Sequence, residues 1–293
     1  MSGDIETTAE AEAEVEARAE VEAARSTARP PQHDHIRARH VGFFHDLVSV
    51  ASRALRLIPR DVEGVIPALI VPVFFFVVNI GSLQKITEAA QPGFDFKAFQ
   101  LPVAIIFAVT GISRASTLVI DIQDGYFNRM LMTPMNRRAL LLGLMVADFV
   151  LVCALSIPVI ILGLVVGVRF ETGPLGILVF ILVAGAWGLV FTGFPYAIAL
   201  KTGSPAAVNS SFILFFPFAF LTTSFVPMEA LTGWLATIAK YNPVTYILEA
   251  LRSLLMVGWD ATALAQGIGA ILAVGIVSQS LAFAALRGRV KRG

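Results

Sequence analysis

The sequence predicts an all-α integral membrane protein, and two observations carry that prediction. The first is composition: 56% of the residues are hydrophobic and 15% charged, with a mean hydropathy of +0.77. Soluble domains run at roughly 45–50% apolar and about 25% charged. The second is the length of the apolar runs. A hydrocarbon core of about 30 Å needs about 20 apolar residues in helical form. Six runs qualify, approximately Val65 to Leu83, Leu101 to Ile120, Ala139 to Val168, Leu175 to Leu200, Ala206 to Val226 and Ala263 to Leu286. Runs this long and continuous fit helices, which satisfy their own backbone in lipid, rather than the alternating ~10-residue strands of a barrel.

The chain before the first run divides in two. Asp4 to Arg29 is dominated by Ala and Glu and has no apolar stripe, so residues 1–42 read as a disordered acidic and polar tail. A contact arm for a basic partner is the alternative. His33, His35, His40 and His45 all precede the spans, and His33 and His35 beside Asp34 fit a solvated linker better than a metal site. From Phe44 a helical period begins, with Phe44, Leu47, Val48, Ala51, Leu55 and Ile58 on one face and Asp46, Ser49, Arg53, Arg56 and Arg60 on the other. Residues 43–61 are therefore expected to form an amphipathic interfacial helix along the inner leaflet, ending at Pro59. No cleavable signal peptide is expected before the first span. The single cysteine, Cys153, excludes an internal disulfide and a cysteine-cluster metal site.

Residues 62–293 are expected to form the six-helix membrane domain, oriented by its flanking cations. With the N-terminus inside, the inner flanks hold Arg53, Arg56, Arg60, Arg129, Arg137, Arg138, Lys201, Arg287, Arg289, Lys291 and Arg292. The outer flanks hold Lys85, Lys97, Arg169, Lys240 and Arg252. The excess predicts both termini in the cytoplasm of a plasma-membrane protein, with the loop 121–138 inside and the long loop 227–262 outside. Inside the spans only Arg114 and Asp148 are ionisable at depth. A charge at the bilayer centre costs about 2.5–3.5 kcal/mol on insertion scales, so the two are expected to pair and fix the helices flanking the inner loop. A proton or substrate relay is the alternative. The remaining interior, apolar throughout, suits a hydrophobic or amphipathic cargo better than a bare ion. Gly163 and Gly167 form one G-x-x-x-G, a weak helix-packing signal.

The inner loop, DIQDGYFNRMLMTPMNRR from Asp121 to Arg138, has the makings of a docking site. Gly125 gives the turn, and Tyr126, Phe127, Met130, Leu131 and Met132 are expected as apolar knobs. Arg129, Arg137 and Arg138 supply a polar rim, and Pro134 is expected to end the short helix. An ordinary loop touching lipid headgroups is the alternative. In the outer loop, Pro227 to Gly233 and Tyr241, Asn242 and Pro243 bracket an apolar segment, Trp234 to Ala239, too short to span, and a second, Val244 to Met256, follows with Glu249 and Arg252 as an i, i+3 pair; both are expected as short helices capping an exit. The alternative there is a surface loop held by interfacial aromatics.

The loop residues Asp121, Gly125, Arg129, Leu131, Thr133, Pro134, Arg137 and Arg138, running into LLLGLMVAD, resemble the first cytoplasmic loop of type-2 ABC exporter permeases, in particular daunorubicin-resistance-like membrane subunits. SFVPMEALTGWLATIAKYNPVTYILEALR, from Ser224 to Arg252, is similar to the outer loop of that family, and the TGSP turn at Thr202 to Pro205 also fits. The resemblance covers about Phe43 onward; the acidic tail departs from it. It implies a permease that pairs with a second copy or a close relative, and a soluble ABC ATPase subunit that binds ATP and Mg and docks on the cytoplasmic loop. The chain itself shows no phosphate loop, no zincin or hydrolase motif and no catalytic cluster, so it is expected to be no enzyme and to bind no cofactor. Nothing in it points to nucleic acid. A self-contained secondary transporter, the other function class, is expected to show inverted repeats and charged midplane helices, which are not seen.

Overall fold

The computed structural model describes residues 42–58, 62–110, 113–132 and 135–291. Residues 1–41 of the expected 1–42 tail lie outside the described residues, as do Pro59, Arg60, Thr133, Pro134 and Arg292, and the side chain of Leu131. Every regular element among the described residues is a helix: α1 (Phe43–Leu57), α2 (Val62–Ala90), α3 (Phe96–Thr110), α4 (Ala115–Gln123), α5 (Tyr126–Met132), α6 (Arg137–Val165), α7 (Gly173–Phe191), α8 (Gly193–Thr202), α9 (Pro205–Phe220), a 3-10 turn (Met228–Ala230), α10 (Gly233–Tyr241), α11 (Pro243–Met256) and α12 (Ala261–Val290).

Five stretches are long and apolar enough to cross a membrane: Ile66–Ala90, Phe96–Gln123, Arg137–Val165, Gly173–Thr202 and Ala261–Val290. The run expected at Ala206 to Val226 differs. Its helix, α9, has 16 residues, about 24 Å at 1.5 Å per residue, and Leu221 to Val226 continues without helical structure. Pro217 removes one helical donor near its end. Thr222 and Ser224 then turn their hydroxyls onto the Ala219 carbonyl at 2.7 and 2.9 Å, competing with the ladder.

The turns follow local chemistry. Gly203, at φ 62°, takes the left-handed position that ends α8; Ser204 caps α9 through Ala207 N, and Pro205 stands in its first turn. This is the physical content of the TGSP signature. Asn136, Asn242 and Asp260 cap α6, α11 and α12 in the same way.

Two apolar clusters make the core. One, with Leu101, Ile105, Val152, Phe180, Trp187 and Leu251, joins α3, α6, α7 and α11. The other, with Leu118, Phe127, Met145, Tyr196, Leu200 and Leu286, sits at the end bearing the Gly125 turn, called the lower end here. Close approach depends on glycine at several points. A Cβ on Gly143 would come within 2.9 Å of Leu47 O, which lets α1 lie on α6, and one on Gly193 would meet the Ser278 backbone at 2.7 Å, which lets α8 lie on α12. The outward faces of α2 and α12 carry exposed Ile70, Phe74, Leu272 and Ile276, as lipid-facing helices do.

The α1 helix is amphipathic, but its apolar face is divided. Val50, Ala51 and Ala54 are buried on the bundle, whereas Phe44 and Val48, expected on the same face, are 79% and 61% exposed. The packing surface is rotated because Gly143 admits the Val50 side of the helix.

Candidate functional site

At the lower end, α4 turns into α5 through Gly125, whose φ of 73° is the left-handed conformation glycine tolerates best. The loop is clasped from α1. Arg53 lies 3.6 Å from the Asp121 carboxylate, and its guanidinium sits 4.1 Å over the Tyr126 ring. Asp46 accepts from the Asn136 amide at 3.0 Å, at the point where the chain enters α6. Phe127 is 1% exposed and belongs to the lower core, so it is an anchor of the loop and not a knob offered to a partner. Arg129, Met132, Arg137 and Arg138 are exposed and form the accessible face. Leu131 is on α5, and the role expected for Pro134 falls outside the described residues.

Deeper in, Arg114 and Asp148 meet, though not as the expected ion pair. The Asp148 carboxylate accepts from the Arg114 backbone amide at 3.2 Å and from the Tyr196 hydroxyl at 2.8 Å. The Arg114 guanidinium turns the other way and donates to the Ala54 carbonyl at 2.8 Å, leaving its Nε without a partner. The reason is supply and demand for hydrogen bonds. Arg114 stands at the start of α4, where amides lack helical acceptors, and Ala54 belongs to the last turn of α1, where carbonyls lack donors. One node therefore joins α1, the α3–α4 junction, α6 and α8.

At the opposite end, the centre of the non-helical segment after α9 is buried, and several of its carbonyls are bonded from other elements. Thr222, Thr223 and Ser224 are each at most 2% exposed. Gln100 of α3 donates to Ser224 O at 3.1 Å, and Asn242 donates to Phe218 O and Leu221 O at 2.7 and 2.9 Å. Arg252 supplies the rest, with Nη1 to Thr223 Oγ1 and Nη2 to Thr223 O, both at 2.8 Å, and Nε to Phe99 O at 3.2 Å. Its guanidinium also lies 3.5 Å over the Phe99 ring. Irregular backbone in an apolar setting is tolerated where protein bonds it, and here the carbonyls of Leu221, Thr223 and Ser224 are bonded in that way.

The expected Glu249–Arg252 pair is not made; the guanidinium is engaged instead by Thr223, in the segment after α9, and by the Phe99 carbonyl of α3. Burial pulls the Arg252 pKa down to about 9, with Glu249 pushing it back up. Burial likewise raises the Glu249 carboxyl, against the opposing pull of Arg252. The two short helices expected here are present as α10 and α11. The second is deeply packed on α3, α7 and α12 rather than lying loosely at the surface. Pro227 precedes the 3-10 turn, and Trp234, in the first turn of α10, is 69% exposed.

This arrangement is a broken-helix apolar bundle with a clasped loop at one end and a stitched pair of short helices at the other. A profile of the ABC-2 type transporter family matches residues 46–256, most of the described bundle. The chain belongs to the ABC-2 type transporter family. Among relatives of this ABC-2 protein, the daunorubicin resistance ABC transporter permease protein DrrB1 of Streptomyces coeruleorubidus is 27% identical over 164 residues, 55% of this chain and 58% of the relative. The probable doxorubicin resistance ABC transporter permease protein DrrC of Mycobacterium tuberculosis is 24% identical over 208 residues, covering 71% and 75%. The putative transport permease ycf38 of Cyanophora paradoxa is 23% identical over 226 residues, covering 72% and 74%. The match thus spans little more than half the length of the Streptomyces relative. The resemblance read from the two loops is borne out at the level of family.

Sequence reasoning missed Arg53 and Asp46 as partners of the loop, Ala54 and Tyr196 as members of the Arg114 node, and Gln100, Thr223 and Ser224 in the upper cluster. The T-T-S run at the end of an apolar stretch was a usable signal for the break. Nothing local marks Ala54.

Proposed function

We propose that this ABC-2 chain is the membrane subunit of an exporter that moves a hydrophobic or amphipathic small molecule or lipid out of the cytoplasm or inner leaflet. The energy comes from a separate ATPase carrying ATP and Mg, docked on the exposed face of Arg129, Met132, Arg137 and Arg138. A second copy or a related permease completes the pathway, and the protein resides in the plasma membrane. The observation that carries this reading is the continuity from loop to core. Arg53 holds Asp121 and Tyr126 to α1, and the last turn of α1 is tied through Ala54 and Arg114 to Asp148 and Tyr196. A push on α5 is delivered to four elements at once. The drug-resistance names of the relatives support the class of cargo.

The same reading counts α9 as a fifth crossing and gives six in all, with α1 along the inner leaflet and both termini in the cytoplasm. Chain connectivity supports it. α9 starts at the lower end beside Gly203, where Gln123 donates to Gly203 O and Arg289 of α12 donates to Leu200 O. α12 begins beyond α11, so α9 and Leu221 to Val226 carry the chain between the two ends. The short helix reaches far enough because the stitched segment extends it.

The test is co-purification with the ATPase encoded beside this chain, comparing wild type with Arg129→Glu and Met132→Asp. Wild type is expected to hold the ATPase and stimulate its activity, and both variants, folded by size exclusion, are expected to lose it. Absence of any association with wild type overturns the docking reading and promotes the self-contained transporter.

A further inference from the structure

The segment from Tyr126 to Arg138, YFNRMLMTPMNRR, holds three Arg, three Met and two aromatic residues, with no Lys, Asp or Glu. Met, Arg and aromatic residues are the types enriched where proteins meet, and Lys, Asp and Glu are depleted there. A headgroup surface, by contrast, is served by Lys and Arg alike. The face is also held from within. Phe127 is buried in the lower core and the Arg53 guanidinium lies over the Tyr126 ring, so α5 is anchored before any partner arrives. Met132, the last residue of α5, is left 80% exposed.

Charge on this face is one-sided. Two acids of the lower end are already engaged, Asp46 by the Asn136 amide and Asp121 by Arg53. The side chains of Arg129, Arg137 and Arg138 are exposed and make no ion pair among the described residues. Arg137 and Arg138 also open α6, whose first turn holds no acid, although the amide end of a helix favours acids and disfavours cations. Cations gathered there are complemented by carboxylates from outside, which a guanidinium fork binds through two parallel bonds.

We infer that the surface this face meets on the ATPase is acidic, with carboxylates that answer Arg129, Arg137 and Arg138 around an apolar socket for Met132. The inference rests on the docking reading above and names the chemistry of the partner's side of that contact.

The full chain is placed in phosphatidylcholine nanodiscs, and binding of the ATPase encoded beside it is titrated between about 50 and about 300 mM NaCl. Wild-type affinity is expected to fall about tenfold over that range, chiefly through the association rate. Arg137→Gln with Arg138→Gln is expected to weaken binding about tenfold at the lower salt and to flatten the salt dependence. Arg137→Lys with Arg138→Lys gives the direct readout, because carbodiimide joins an amine to a carboxylate with no spacer. Peptide mass spectrometry is expected to find residue 137 or 138 coupled to Asp or Glu of the ATPase. Tight binding that ignores both salt and the Gln pair overturns the acidic surface and leaves the docking reading standing, as does coupling confined to lysines elsewhere in the chain. A loss in the Gln pair seen only after phosphatidylglycerol is added to the discs assigns these cations to lipid headgroups and overturns it too. No binding to wild type overturns both readings together.

Discussion

Each end of the bundle buries an arginine, and the two are neutralised in different ways. Arg252 places all three guanidinium nitrogens on Thr223 and Phe99 and its face on the Phe99 ring, with no carboxylate in contact. Arg114 has a carboxylate beside it, yet its side chain uses one bond to Ala54 O, while Asp148 serves the Arg114 amide and Tyr196. The lesson is that carbonyls freed by broken or ending helices draw buried arginines as strongly as nearby acids do. A planar fork of five donors finds several acceptors there at once. The Arg252 guanidinium is thereby fully engaged. The lower node leaves Arg114 Nε unpartnered.

The comparison is broken most directly at Arg252. Arg252→Met removes three charged hydrogen bonds from a buried segment and is expected to destabilise by about 3 kcal/mol or more, read as a fall in the thermal midpoint in detergent. Arg252→Lys is expected to recover only part, since an ammonium cannot match the fork. An unchanged midpoint in Arg252→Met means the stitched segment is not what holds α11.

Asp148 separates hydrogen bonding from charge pairing at the lower node. Asp148→Leu is expected to cost about 2 kcal/mol by leaving the Arg114 amide and Tyr196 hydroxyl buried and unpaired. Asp148→Asn retains an acceptor for the amide, and its NH₂ can donate to the Tyr196 oxygen, so it is expected to stay within about 1 kcal/mol of wild type. Equal losses for the two variants restore the ion-pair reading. Tyr196→Phe, which removes one interhelical bond, is expected to cost about 0.6 kcal/mol, the average for such bonds in membranes. Smallest of all, Arg129→Glu on the exposed face is expected to leave the thermal midpoint within about 0.5 kcal/mol equivalent of wild type while abolishing ATPase capture.

The helical class, the turn of the inner loop and the short helices around Asn242 were legible in the sequence because apolar run length, the Gly125 and Gly203 turns and the Asn-Pro and Ser-Pro caps are local signals. Arg114 and Asp148 were also found, since ionisable groups in an apolar run announce themselves. Their partners were not. Proximity in an antiparallel pair suggested that charge meets charge, and it gave no sight of Ala54, 60 residues away. The same blindness affected Arg252, assigned to Glu249 by helical spacing although its acceptors lie 29 and 153 residues off, and Phe127, whose apolar character fits a docking knob as well as a core anchor.

By itself, then, the sequence determined that this chain is a membrane-embedded bundle of apolar helices, where those helices turn, and to which family they belong. Only the tertiary structure decided that α9 stops short, that the segment after it is stitched from α3 and α11, and which way each buried arginine points. The physical reason is one of range. Turns, caps and hydrophobic runs are written in neighbouring residues, whereas the acceptors that a broken helix leaves open are satisfied by whatever donors the fold brings to them.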